Sequence, residues 1–237
     1  MVTGAGHGIG LAIAHALARE GAFVVMTDLD PGRGEAAAEE VRSTGGSARF
    51  IAADQGDGAA WPAVIEAAES AVGRFDILVL NAGRAAPNPI ATMSLEEFRE
   101  TGRVHVRGVF LGLKHGVAAF RRHGQGGAVA MMSSIVGKVG VVGYPAYAAA
   151  KGGVRLLAKA AALELGPEQI RVNSVHPGLI RTGMTAGVDA AALAPMMPLG
   201  RIGEPREVAD AVLFLVSDRG RFITGTEMVV DGGWIAR

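Results

Sequence analysis

The 237-residue chain is 49% hydrophobic and 19% charged, which excludes a disordered protein and gives mass for a large α/β core. Its 23 basic and 23 acidic side chains cancel, which speaks against a nucleic acid or an anionic membrane as partner. With no cysteine there are no disulfides or thiolate metal ligands, no metal site is expected, and a reducing cytoplasm suits the chain. Met1-Val2-Thr3-Gly4 has neither the basic region nor the apolar stretch of a signal peptide. No apolar run approaches the ~20 residues of a membrane span, so a cytoplasmic location is expected.

Met1 to Thr3 reads as the end of a very short first strand. A turn follows, Gly4-Ala5-Gly6-His7-Gly8-Ile9-Gly10, and then a helix predicted over Leu11 to Glu20, with Leu11, Ala14, Leu17 and Ala18 on one face. Strand, glycine turn and helix is the context in which backbone N–H groups face a dinucleotide pyrophosphate. The spacing, Gly4-x-x-x-Gly8-x-Gly10, is not the commoner G-x-G-x-x-G, and an ordinary glycine loop is the bland alternative. Phe23 to Asp28 reads as an apolar strand ending in an acid, 18 residues after Gly10. An acid there accepts from the adenosine ribose hydroxyls and repels a 2′-phosphate, which predicts NAD over NADP. The bland alternative for Asp28 is a cap on the helix that begins near Pro31. No Arg directly follows Asp28, but Arg33 is close enough to soften the preference.

Glu35 to Arg42 is a predicted helix stopped by Gly45-Gly46, and Arg49 to Ala53 a third strand followed by Asp54-Gln55. Ala59 to Val72 is predicted helical, and Ile77 to Leu80 is a wholly apolar strand closed by Asn81-Ala82-Gly83. The capping box Ser94-x-x-Glu97 opens one long predicted helix, about Leu95 to Arg122. Ala128 to Ser133 is the fifth strand, Pro145 to Leu165 a long helix, and Arg171 to Val175 a sixth strand with Pro177-Gly178 at its end. Thr182 to Pro198, rich in Ala, Met, Pro and Gly, reads as a mobile apolar flap. Pro205 to Val216 is predicted helical and Glu227 to Val230 is the last strand. Strands and helices alternate without repeat or linker. This predicts one domain, residues 1–237, built as a doubly wound (Rossmann) parallel sheet of about seven strands with helices on both faces and a short flap near 182–203.

Ligands of such sheets bind beyond the carboxyl ends of the strands, where Ser134 falls. In the next helix, Tyr147-Ala148-Ala149-Ala150-Lys151 puts a phenol and an ammonium on one face. Their ordinary pKa values lie near ~10 and ~10.4. An ammonium beside a phenol favours the phenolate, so Tyr147 is expected to be acidified and to exchange a proton with a carbinol or carbonyl oxygen. The spacing alone is weak, because a Tyr and a Lys on a helix are more often plain surface residues.

Taken in order, these marks resemble the short-chain dehydrogenase/reductase family from end to end. They are Thr3-Gly4-x-x-x-Gly8-Ile9-Gly10, Asp54, Asn81-Ala82-Gly83, Ser134, Tyr147-x-x-x-Lys151, Pro177-Gly178 and Gly225-x-x-x-x-Val230-Asp231-Gly232-Gly233. Ser134 stands 13 residues before Tyr147, the family spacing, which selects it over Ser133. The resemblance implies an NAD(H)-dependent alcohol dehydrogenase or carbonyl reductase in which the cofactor carries the hydride. Tyr147 would exchange the proton, Ser134 hold the substrate oxygen, and Lys151 bind the nicotinamide ribose and acidify Tyr147. The cofactor set it implies is Gly4, His7, Gly8, Ile9, Gly10, Asp28, Leu29, Asp54, Gln55, Asn81, Ala82, Gly83, Tyr147, Lys151, Pro177, Gly178, Ile180 and Thr182. Within that set Asp54 would hydrogen-bond the adenine, Asn81 to Gly83 flank the adenine ribose, and the Ile180 backbone with the Thr182 hydroxyl hold the nicotinamide amide. A homotetramer through the long helices and the last strand is also implied, and the small side chains of Ala148 to Ala162 would permit close packing.

Two departures stand out. Where the family has a motif like Val-Asn-Val-x-Gly, this chain has Val104-His105-Val106-Arg107-Gly108. An imidazole can replace that Asn in a proton relay from the lysine to solvent and would add a pH dependence near ~6.5, or it can merely fill space. The first strand is also shorter than in family members, and a shortened central strand is expected to cost stability. The substrate pocket is expected from Ser134, Ile135, Val136, Val141, Tyr144, Tyr147, Leu179 and Met184, with Met196 and Met197 as pocket or packing. The set is mainly apolar and holds no Arg or Lys for a carboxylate, which predicts a neutral secondary alcohol or ketone. Two rivals remain: a 3-oxoacyl carrier-protein reductase, for which Asp28 is the wrong residue and Arg121 and Arg122 a weak docking patch, and a catalytically idle dinucleotide-binding regulator, against which Ser134, Tyr147 and Lys151 argue.

Overall fold

The computed structural model describes residues 1–85 and 87–236. Seven parallel strands form one sheet in the order β3-β2-β1-β4-β5-β6-β7. They are β1 (Val2–Thr3), β2 (Phe23–Asp28), β3 (Ser47–Ala52), β4 (Ile77–Leu80), β5 (Gly127–Met132), β6 (Ile170–Pro177) and β7 (Glu227–Val230). The crossovers are α1 (Gly8–Arg19), α2 (Pro31–Ser43), α3 (Trp61–Val72), α4 (Leu95–Gly102), α5 (Gly108–His123), α6 (Pro145–Leu165) and α8 (Pro205–Val216), with a four-residue helix α7 (Ala190–Leu193) in the 182–203 segment. The sheet is parallel, so both faces need cover, and strand side chains alternate between two cores. Val24, Met26 and Val79 pack with Ile13, Leu17, Val41 and Val212 on one face. Val25, Leu78, Leu80, Val129 and Met131 pack with Trp61, Phe120 and Val154 on the other.

The strand order reverses direction between β1 and β4, and that switch point sets the ligand end of the sheet. At the opposite end β1 is short. It pairs with β2 at Met26 and Thr27. The Met1 ammonium donates to the Ile77 carbonyl at 2.8 Å, and burial pushes its pKa down to about 5.

The helix expected from Leu95 to Arg122 is broken. Arg103–Arg107 form a wide π turn between α4 and α5, in which the Gly108 N–H reaches back to the Arg103 carbonyl. No proline stands between Leu95 and Arg122, so the sequence carries no such breaker to mark the turn. Elsewhere Phe23–Asp28, Ile77–Leu80, Pro145–Leu165, Pro205–Val216 and Glu227–Val230 fall on the predicted bounds.

Candidate active site

A cleft of about 400 Å³ opens over the carboxyl ends of the strands, and it brings together residues that lie far apart in the chain. On one side stands the Gly4–Gly10 turn. Gly4 (φ 62°) and Gly8 (φ 58°) adopt left-handed backbone, and a Cβ on Gly4 would stand 2.6 Å from the Ala82 Cα. His7, at the N-terminus of α1, makes no side-chain cap, and no acid sits in the first turn. The helix N–H groups and positive end therefore face the cleft without a protein anion. A glycine cradle too tight for a side chain, joined to an uncapped helix start, suits a pyrophosphate.

Beside the turn, burial alone would raise the Asp28 carboxyl, but hydrogen bonds from Arg33, Asp30 and Gly6 override it and hold the group below its ordinary range. Arg33 Nη2 donates to it at 2.8 Å. Asp28 does not cap the next helix; Asp30 does, accepting from the Arg33 N–H at 3.0 Å. Leu29 is 72% exposed at the mouth. Asp54 is likewise engaged: its Oδ1 accepts from the Gly56 N–H at 2.8 Å and its Oδ2 from Arg103 Nη1 at 2.8 Å, while Arg103 also binds Glu100. The Arg103 pair was missed in sequence. The Glu100-x-x-Arg103 spacing was its only signal, and it does not point to Asp54.

Gln55 and Asn81 line the cleft, but their polar groups serve the fold. Thr3 Oγ1 donates to Gln55 Oε1 at 2.6 Å, and the Gln55 amide donates to the Ala82 and Val104 carbonyls. The Asn81 amide donates to the Thr3 and Gly4 carbonyls. These bonds knot β1, the Asn81–Gly83 segment and the π turn. Gln55 lines the cleft, with both amide hydrogens and one of its two carbonyl lone pairs used within the fold.

Across the cleft β5 ends in Ser133 and Ser134. The Ser133 hydroxyl donates to the Lys151 carbonyl at 2.8 Å and so ties α6 to β5. Ser134 Oγ accepts from the Val136 N–H at 3.1 Å. Buried His176 fixes the Ser134 backbone. Its Nδ1 lies 3.1 Å from the Ser134 carbonyl, which can only accept, so Nδ1 carries the proton and Nε2 accepts from the Ser174 hydroxyl at 2.9 Å. Tyr147 and Lys151 project from α6, with Lys151 Nζ 5.5 Å from the Tyr147 ring centroid. Lys151 Nζ donates to the Met132 carbonyl at 2.7 Å. Burial pushes the Lys151 ammonium down to about 7. It pushes the Tyr147 phenol up to about 12, only partly offset by a hydrogen bond with Ser134. The expected acidification of Tyr147 does not appear among the chain's own groups, because burial sets the direction of its shift.

The comparisons with known proteins agree with this geometry. The family model described as "Enoyl-(Acyl carrier protein) reductase" matches residues 4–235. A cyclopentanol dehydrogenase from Comamonas sp. (strain NCIMB 9872) is 42% identical, with 100% of this chain and 96% of the relative covered. An NADP-dependent (R)-specific alcohol dehydrogenase from Lentilactobacillus kefiri is 39% identical, with 100% and 96% covered. A short-chain type dehydrogenase/reductase from Mycobacterium marinum, known as a crystal structure, superposes with a TM-score of 0.96 at 34% identity, covering 100% of this chain and 94% of that one. The chain belongs to the short-chain dehydrogenase/reductase family. That family works with a nicotinamide dinucleotide, and the glycine cradle and uncapped helix start fit one.

In this dehydrogenase His105 occupies the middle of the π turn and is buried. Its Nε2 lies 2.7 Å from the Arg84 carbonyl, so Nε2 carries the proton and Nδ1 is left as a buried acceptor with no partner. The ring stands edge-on to Tyr147 at 5.2 Å, and a Cβ on Gly83 would come within 2.4 Å of its Cε1. Burial, with the Lys151 charge adding to it, pushes the imidazole down to about 3. This burial disfavours the charged imidazole and so runs against a pH dependence near ~6.5.

Of the expected substrate residues, Ser134, Tyr147 and Met184 line the cleft; Ile135, Val136, Val141, Tyr144 and Leu179 are not part of its wall. Ile135 is buried. Tyr144 instead stands beside Tyr147, with ring centroids 6.3 Å apart. Met197 is packing at 2% exposure, whereas Met196 is exposed. Pro177, Gly178, Ile180 and Thr182 line the cleft opposite the glycine turn. The Thr185 hydroxyl, not anticipated, donates to the Ile180 carbonyl at 2.7 Å and accepts from the Thr182 N–H at 3.0 Å, fixing the start of the 182–203 segment.

Proposed function

We propose that this short-chain dehydrogenase interconverts a neutral, largely apolar secondary alcohol and its ketone, with NAD(H) as the preferred cofactor. The observation that carries the reading is the meeting of Ser134, Tyr147 and Lys151 in one cleft with the glycine turn. Asp28 beside the turn supports NAD. A bound dinucleotide supplies or removes the hydride. Tyr147 gives or takes the proton at its Oη, and Ser134 Oγ holds the substrate oxygen. With one N–H on the Met132 carbonyl, the Lys151 ammonium keeps two donors for a ribose and for its influence on the phenol. His105 Nδ1 serves as a neutral relay acceptor behind the phenol. The backbone of Ile180 and the hydroxyl of Thr182 hold the nicotinamide amide. The phenol starts protonated, so the chain is set up as an acid for ketone reduction, and oxidation needs higher pH.

A neutral substrate is favoured because Ser134, Tyr147 and Met184, the expected substrate residues on the cleft wall, include no cation. The relative named for cyclopentanol supports a cyclic alcohol. We read the chain as one catalytic domain with residues 182–203 as its flap, acting as a homotetramer. No helix among the described residues is long and apolar enough to cross a membrane. The carrier-protein reductase reading is less well supported, since Arg121 pairs with Glu168 and Arg122 with Glu69, leaving little basic surface for an acidic carrier. The test is NADH absorbance with NAD or NADP against a panel of cyclic and acyclic alcohols and ketones. Turnover of cyclic alcohols, faster with NAD, is the expected result. Cofactor binding without turnover on any panel member would overturn the enzyme reading in favour of a dinucleotide-binding regulator.

A further inference from the structure

We infer that Lys138 and Glu227 are a positioning pair for the reaction: their contact clamps the turn that carries Ser134 to the last strand, and so holds the Ser134 hydroxyl where the substrate oxygen binds. The inference rests on the role proposed for Ser134 above. Lys138, Lys159, Glu227 and His176 stand outside the cleft wall, so any effect they have on catalysis passes through a neighbour.

Ser134 opens a tight unit. The Val136 N–H donates to its hydroxyl at 3.1 Å, and the Gly137 N–H donates to its carbonyl at 3.0 Å. The Ile135 carbonyl then accepts from the Lys138 N–H at 2.8 Å and the Val139 N–H at 2.9 Å. Bonds this closely spaced make Ser134 to Val139 move as one piece. The piece lies directly on α6: a Cβ on Gly137 would stand 2.7 Å from the Lys151 carbonyl and 2.9 Å from Ser133 Oγ.

The unit is held at both ends. At its start the imidazole of His176, on β6, meets the Ser134 carbonyl. At its far end the Lys138 ammonium donates to the Glu227 carboxylate, on β7. In the register of β6 and β7, Glu227 lies opposite Ser174 and Val229 opposite His176. Glu227, Ser174 and His176 therefore project from one face of the sheet. Lys159 of α6 approaches the same carboxylate at 3.1 Å and donates to the Gly225 carbonyl, also at 3.1 Å. The hydrogen bond from Lys138, with help from Lys159, outweighs burial and holds the Glu227 carboxyl down at about 2, so it stays ionised at neutral pH. The Lys138 and Glu227 side chains are only 25% and 17% exposed. In a pair so far out of water, desolvation offsets much of the attraction. What the pair fixes is the distance from β7 to the turn. A misplacement of about 1 Å at a reacting site can cost on the order of 10²-fold in rate.

The test is steady-state oxidation with NAD of cyclopentanol, or of the best alcohol in the panel above, with ADP-ribose affinity read by calorimetry. Lys138→Met leaves Glu227 its contact with Lys159, so the fold is expected to survive. It should lower kcat about tenfold and leave ADP-ribose affinity within about twofold. Lys138→Arg, which keeps the charge, should recover most of the loss. Lys159 touches the carboxylate but not the turn, so Lys159→Met should change kcat by less than about twofold. A double-mutant cycle decides the matter. In a Ser134→Ala background Lys138→Met should cost less than about twofold, because the group it positions is gone. A merely structural role would cost the same in both backgrounds. The inference is overturned if Lys138→Met keeps the parent's kcat, if Lys159→Met loses as much, or if the loss is equally large in Ser134→Ala. A parent that binds ADP-ribose but turns over no alcohol or ketone would instead remove the enzyme reading, and this inference with it.

Discussion

On the β2 and β3 side of the cleft each acid already meets an arginine, Asp28 with Arg33 and Asp54 with Arg103, in pairs that reach solvent. At the Tyr147 end Lys151 and His105 have no ion-pair partner among the described residues, and burial moves both away from their charged forms, Lys151 to about 7 and His105 to about 3. Tyr147 follows the same rule, with its phenol at about 12. The difference separates two uses of charge. Recognition of a fixed, polar ligand needs charges that stay put, and ion pairs provide them. Proton exchange takes place between neutral partners where charge is costly, and burial favours the neutral form of all three groups.

The strongest way to break this contrast is Tyr147→Phe. Turnover should fall by roughly 10²–10⁴-fold, while ADP-ribose affinity measured by calorimetry stays within about twofold. Unreduced turnover would deny the buried end its chemical role. Next comes His105→Asn. A base held at about 3 in the folded chain and near 6.5 in the unfolded one binds its proton only on unfolding in that window. Stability is therefore lost as pH falls from 6.5 toward 3, at up to about 1.4 kcal/mol per pH unit. The Asn variant should show a shallower acid limb in urea unfolding between pH 7 and 4. Parallel limbs would mean that the imidazole is not held neutral.

A pH–rate profile sharpens the contrast further. While the phenol stays protonated, oxidation of a cyclic alcohol should climb with pH by up to about tenfold per unit, and ketone reduction should change little around neutrality. An oxidation rate already level below pH 7 would show that the phenol is acidic after all. The smallest effect belongs to the β2 and β3 side. Arg103→Ala breaks two partly exposed pairs, with Asp54 and with Glu100, so thermal unfolding should register only about 0.2–1 kcal/mol for each.

Much of the architecture was legible because strands and helices were bracketed by glycines, prolines and caps. Phe23–Asp28 and Pro145–Leu165 are examples. The site was legible to the extent that chain position encodes it: Ser134 at a strand end, and Tyr147 and Lys151 one helical turn apart. What depends on enclosure was not. Spacing gave Tyr147 an ammonium neighbour, but not the burial that reverses its shift. It gave His105 a motif position, but not the π turn that closes around it. Arg33 was visible as a neighbour of Asp28, yet its hold on the carboxylate depends on how α2 leaves β2.

The π turn at Arg103–Arg107 holds one residue more than the α-helical turn it replaces, so α4 and α5 run out of phase by about 100°. Deleting Val106 would cancel that surplus and let a continuous helix form. Everything on one side of the deletion would then rotate relative to the other, parting either Glu100 and Arg103 from the adenosine wall or α5 from its core. A helical frameshift of a single residue would thus leave the helix better formed and the enzyme disassembled.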